Sequence, residues 1–236
     1  MSVTKHGVAI SFILLASLSA LSGCDNSPEH KQAQQDAEVE KMVDEVAGVS
    51  GESEDDSSAC GKLAKLLAAL PATQSMDGLD ESYRGCESPM TANLQFEDDD
   101  KGIYYTVSVL KTELADLPGQ GAHWQGLLDM NRQAIESLIS TQKSMIEVGK
   151  KPVASNGTDP LSAEERARLP SQVKLPNGAD ATVYSEGEDW ALVSLMKDRY
   201  VLRIDLFNYA DQLPDTKSAE SLLMAKVAEI NFADLP

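Results

Sequence analysis

The sequence predicts an α+β fold, one antiparallel sheet of about five strands with helices packed on it, in the order α-β-β-α-β-β-β-α. Three observations predict it. Two stretches alternate apolar and polar residues with a period of two, and the short acidic "DDDKG" joins them. A long segment beginning at Trp124 carries apolar residues at helical spacing. Three further strand-like runs follow, the last two separated only by Lys197 and Asp198. Strands joined by tight turns must pair antiparallel, and the helices need a face to cover.

Each element has a local reason. "CGKLAKLLAALP" places Leu63, Leu66, Leu67 and Leu70 on one helical face and ends at Pro71, which cannot continue a helix. "TANLQFE" sets Ala92, Leu94 and Phe96 against Thr91, Asn93, Gln95 and Glu97. "GIYYTVSVLK" does the same with Ile103, Tyr105, Val107 and Val109, and both read as half-buried strands. From Trp124 to Val148, a broad apolar face includes Leu127, Leu128, Ile135, Leu138 and Ile139. Gly149 and Pro152 end this helix. A long connection follows, holding a short helix whose Ser162 and Glu165 match a capping box. "ATVYSE", "WALVSLM" and "RYVLRIDLF" are the next strands, with Tyr200, Leu202, Ile204 and Leu206 supplying a buried face. A final helix from about Lys217 to Ile230 buries Leu222, Leu223, Val227 and Ile230. Each half pairs a leucine-rich helix with a hairpin, but the two share too few identities to establish a duplication.

The chain opens with a different kind of segment. Lys5 is the only charge before an apolar run from Val8 to Leu21, too short for the roughly 20 residues of a membrane-spanning helix and suited to a signal-peptide core. The run closes on "LSGC", Leu21 to Cys24, which resembles the lipobox of bacterial lipoproteins. That resemblance covers about the first 25 residues. It implies cleavage before Cys24, lipid on the Cys24 sulfur and Cys24 as the first mature residue. Asp25 and Asn26 look like the sorting signal that retains such proteins on the inner membrane. The implied location is the periplasmic face of the inner membrane, with the membrane reached through the lipid. Two or more acyl chains, at about 0.8 kcal/mol per buried methylene, make a stable anchor.

The expected organisation is a signal peptide over 1–23, a lipidated tether over 24–58 and one α+β domain over 59–236. Between Asp25 and Ser58 there are eleven acids against Lys31 and Lys41, and no aromatic residue, a composition that cannot bury a core. Within it, "DAEVEKMVDEVAG" reads as a short helical stretch, since Val39, Met42, Val43 and Val46 fall at helical spacing. The whole chain carries 20 basic and 38 acidic residues, a net charge of −18. Nucleic acid is excluded as a partner, because phosphate binding needs a basic stripe, and an anionic lipid surface repels the domain. Cys60 and Cys86 are the two cysteines beyond Cys24, and in an exported chain an even pair reads as a disulfide. Zinc wants three or four ligands, and only His30 and His123 stand beside these thiols in the mature chain. No metal and no cofactor is therefore expected.

Catalytic chemistry needs convergent groups, and one stretch is suggestive. "LPGQGAHWQG" places Gly119 and Gly121 ahead of a helix start, where backbone N–H groups can face an anion. His123 and Trp124 follow at once, and these four residues form a candidate ligand loop. The loop lacks the lysine and hydroxyl of a P-loop, and the chain has no nucleophile elbow to pair with His123. The acids of "EDDDKG" miss the calcium-loop order and read as a solvated turn. These features favour a lipid-anchored accessory or binding protein that presents its domain to an envelope protein or a small ligand. A periplasmic hydrolase with a cleft near His123, and an inhibitory or toxin-neutralising lipoprotein, are the alternatives.

Overall fold

The computed structural model describes residues 60–119, 121–150, 161–233 and 235. The expected signal peptide, Cys24 lipidation site, sorting pair Asp25 and Asn26, and acidic tether lie outside the described residues. The fold opens with a 3₁₀ turn, Gly61–Leu63, that runs into helix α1, Ala64–Ala69. Strands β1 (Ser75–Met76), β2 (Leu79–Ser88), β3 (Thr91–Glu97) and β4 (Gly102–Val109) follow. Next come helices α2 (Ala122–Gly149) and α3 (Ala163–Ala167). Strands β5 (Ser171–Lys174), β6 (Asp180–Glu186), β7 (Asp189–Met196) and β8 (Tyr200–Phe207), and helix α4 (Thr216–Ala228), complete it.

All eight strands belong to one antiparallel sheet in the order β1-β2-β3-β4-β8-β7-β6-β5. Two four-stranded meanders therefore meet along β4 and β8, whose register runs from Gly102 opposite Phe207 to Val109 opposite Tyr200. The α+β class and the antiparallel sheet agree with the sequence reading, whereas the expected five strands become eight. β1 has two residues and β5 four, too few to show a period. β2 is longer, but register shifts between Glu81 and Tyr83 and between Cys86 and Ser88 interrupt its alternation. Cys86 is part of that strand.

The pairing assigns side chains to faces. One face carries Leu94, Tyr105, Ile204, Leu192 and Val183 as a lateral row across β3, β4, β8, β7 and β6. Every one of these residues is buried. Leu63, Leu66 and Leu67 at the start of the fold and Ala219, Leu223 and Val227 of α4 join the same core. This face is thus covered by α1 over the first meander and α4 over the second. The Cys60–Cys86 disulfide, with Cα atoms 5.4 Å apart, ties the start of α1 to β2.

Among the described residues the opposite face is covered over one half only. Ile135, Leu138 and Ile139 of α2 pack on Leu110, Tyr184, Ala191, Val193 and Val201, which belong mainly to the second meander. The Arg132 guanidinium donates to the Leu110 and Asp198 carbonyls at 3.1 and 3.3 Å, fixing α2 at the end of the sheet. Of the 28 residues in α2, only Leu128 is fully buried. The capping box predicted at the short helix is present: Glu165 N–H donates to Ser162 Oγ, and Ser162 N–H donates to the Glu165 carboxylate.

Candidate functional site

Gly119 and Gly121 line an open cavity of about 610 Å³ together with Lys62, Thr112, Asp116 and Gln125. Its two charges are spent on each other: Lys62 Nζ lies 3.5 Å from Asp116 Oδ1, and Lys62 N–H donates to Asp116 Oδ2 at 2.8 Å. Gly61 makes this contact possible, because a Cβ there would stand 1.9 Å from Asp116 Oδ2. His123 and Trp124 do not line the cavity. Trp124 Nε1 donates to the Pro118 carbonyl at 2.7 Å and closes the loop on itself. The exposed His123 ring meets the Trp124 ring edge-on at 5.6 Å. Among the described residues His123 has no hydrogen bond to a hydroxyl or thiol, so no nucleophile and base come together here.

A second locus emerges from the sheet register. Over the first meander, the face opposite the main core carries no helix among the described residues. Its lateral rows are Tyr83–Gln95–Tyr104–Asp205, Gly85–Asn93–Thr106–Arg203, and Glu97–Gly102–Phe207. Tyr83 and Tyr104 lie along their strands rather than standing out from them. A Cβ on Gly85 would meet Tyr83 Oη at 2.8 Å, and one on Gly102 would meet Tyr104 Oη at 2.6 Å. The glycines thus give each tyrosine a bare strand to lie on, which sets the rings flat against the sheet. Phe207 stands beside Tyr104, with ring centroids 6.3 Å apart, and is 47% exposed.

Polar chemistry converges on these rings. Tyr104 Oη donates to Glu97 Oε2 at 2.9 Å. Burial, that hydrogen bond and the charges of Glu97, Asp189 and Asp205 push the Tyr104 phenol well above its usual range. Arg203 Nε donates to both Asp205 oxygens at 2.8 Å, and Arg203 Nη2 lies 3.2 Å from Glu186 Oε2. Burial works against the Arg203 charge, but the Asp205 hydrogen bonds and charge outweigh it and hold the guanidinium protonated. Asn93 is 4% exposed and gives its Nδ2 to Glu87 Oε2 at 2.7 Å, while its Oδ1 has no partner among the described residues. The buried Tyr184 hydroxyl, beyond Ala191 in the first row, also has none.

This surface was only half legible. The alternation of β3 marks Asn93, Gln95 and Glu97 as facing away from the core, opposite the buried residues that identify the strand. Arg203, Asp205 and Phe207 were readable in the same way, at alternate positions of "YVLRIDLF". Among the described residues no three histidine, cysteine or acidic side chains are placed to hold a metal ion. No helix among them is long and apolar enough to cross a membrane. No protein-family model, curated protein or solved structure matches the chain.

Proposed function

We propose that this chain is a lipid-anchored binding protein of the bacterial envelope that uses the uncovered quadrant of its sheet as the recognition surface. The observation that carries the binding role is the unequal treatment of one sheet face. Where α2 packs, mainly on the second meander, that face is apolar and roofed. Over the first meander and the adjoining Arg203–Phe207 end of β8 it presents two flattened tyrosines, an exposed phenylalanine, amides and carboxylates. Aromatic rings with polar tips suit recognition, since they offer large contact area at little conformational cost. The anchor is supported by the sequence alone, through Lys5, the apolar run and "LSGC" ending at Cys24. Tethering to the membrane raises the local concentration of the domain near envelope partners.

Two experiments test the two halves of this reading. Metabolic labelling with a lipid precursor is expected to mark the wild-type chain and not Cys24→Ser; equal labelling of both refutes the anchor. Site-specific photo-crosslinking in cells from position Gln95, on the open quadrant, is expected to capture one envelope component. The same crosslinker at Glu136, on α2, is expected to capture none. Equal yield from both positions refutes the assignment of the quadrant.

A further inference from the structure

We infer that the open quadrant docks a basic segment of a partner polypeptide, with an arginine or lysine side chain seated on the Tyr104 and Phe207 rings and facing Glu97 and Asp189. The inference rests on the reading of the quadrant as the recognition surface and adds the chemistry of the occupant. A cation placed over an aromatic face is attracted by the ring quadrupole, and carboxylates at the ring edge add charge pairing and hydrogen bonds. The quadrant holds both parts side by side: rings 6.3 Å apart, one of them 47% exposed, and Glu97 bound to the hydroxyl of the other. Among the described residues, the one cation on this patch, Arg203, is committed to Asp205 and Glu186. No described cation pairs with Glu97 or Asp189.

Charge decides between occupants. A second copy of the chain brings a net charge of −18 against its own kind. The chain's residues from Asp25 to Ser58 carry eleven acids against two lysines, and nucleic acid and anionic lipid surfaces bring the same sign. A basic segment is attracted by all of these charges at long range and gains the rings at contact. Among the described residues the polar network of the quadrant is also incomplete: Asn93, in the Arg203 row, has its side-chain carbonyl oxygen without a partner.

The test uses the purified full-length mature chain in neutral detergent and an octa-arginine peptide as probe, with affinity read by calorimetry. Glu97→Gln and Phe207→Ala are each expected to weaken binding about fivefold or more. Glu136→Gln removes the same charge from exposed α2 and is expected to change it less than about twofold. Equal losses for Glu97→Gln and Glu136→Gln, or an unchanged affinity for Phe207→Ala, would show diffuse attraction and overturn the inference. Binding of a neutral chitin hexasaccharide that depends on Phe207, without binding of octa-arginine, would overturn it in favour of a glycan. In that case crosslinking from Gln95 still succeeds, so the occupant fails while the recognition surface stands. Failure of the Gln95 crosslink overturns the surface itself.

Discussion

Removing the Cys60–Cys86 bridge should weaken the domain by an amount that its geometry allows to be worked out. The two cysteines are 26 residues apart in sequence. Closing a loop of that size in the unfolded chain corresponds to about 3.5 kcal/mol at 25 °C on the chain-entropy model. For a domain of this size that is a fall in melting temperature of roughly 7–14 °C. The native contacts around the bridge do not depend on it, since Leu63, Leu66 and Leu67 are already buried against the sheet. The cost should therefore lie mainly in the unfolded state. Urea denaturation of Cys60→Ala, Cys86→Ala and the double variant separates the contributions, because either single change removes the whole crosslink. All three should show nearly the same stability loss. A double variant that loses the sum of two large single losses would place the energy in packing of the sulfurs and refute the argument. A loss below about 1 kcal/mol in all three would mean that the unfolded chain is already constrained there.

Other perturbations test separate parts of the fold. Gly61 has φ of +50° and abuts Asp116, so Gly61→Ala should cost about 1–2 kcal/mol from left-handed backbone alone, measured by thermal melting. Lys226 is 7% exposed in its side chain and pairs with Asp77 Oδ2 at 2.6 Å, although Asp77 is 42% exposed. Asp77→Asn should cost about 1–3 kcal/mol, less than a fully buried pair. Lys226→Met in the Asp77→Asn background should recover most of it. Burial, then the charges of Asp205 and Glu186, push the Tyr184 phenol up to about 12 against the opposing Arg203, so the folded state holds this proton more tightly than the unfolded chain. Between pH 10 and 12 the unfolded chain therefore ionises first, and stability falls by roughly 2–3 kcal/mol relative to neutral pH. Tyr184→Phe should flatten that part of the stability profile relative to wild type. It should cost little at neutral pH, because the hydroxyl has no partner to lose.

What the sequence made legible follows from where alternation is clean. β3, β4 and β8 each place apolar residues on a face that is almost fully buried, so period two survives there, whereas β7 is buried on both faces and reads as a continuous apolar run. β2 turns Arg84 and Cys86 towards the core side, where hydrophobic residues would have announced a strand. Arg84 is held by the Pro71 carbonyl at 2.6 Å and by Glu81 at 2.7 Å, an arrangement with no signature in a window of sequence. The disulfide was legible from residue count, and the capping box from spacing. The glycine loop was legible from its spacing: Gly119 and Gly121 line the open cavity, where Asp116 pairs with Lys62 and Gly121 leads into α2. The open quadrant went unread because a polar outer face is the ordinary state of an antiparallel strand. Only the three-dimensional fact that α2 covers one half of that face makes the other half distinctive.

Along β8, the side chains opposite the main core run Val201, Arg203, Asp205, Phe207. Val201 lies under α2, and Arg203 and Asp205 mark the border of the covered region. Fold alone would end that series on a polar residue. Phe207 is instead exposed to 47%, with only the tilted contact to Tyr104 among the ring pairs. A residue kept for stability would be covered, and one kept for recognition is free to be exposed at a small cost in solubility. Phe207→Ala should therefore change the unfolding free energy by about 0.5 kcal/mol or less, as surface substitutions do, while abolishing most of the octa-arginine affinity. Urea denaturation and calorimetry on the same preparation measure both. A stability loss above about 2 kcal/mol would make Phe207 a structural residue, and its exposure would then no longer argue for a partner.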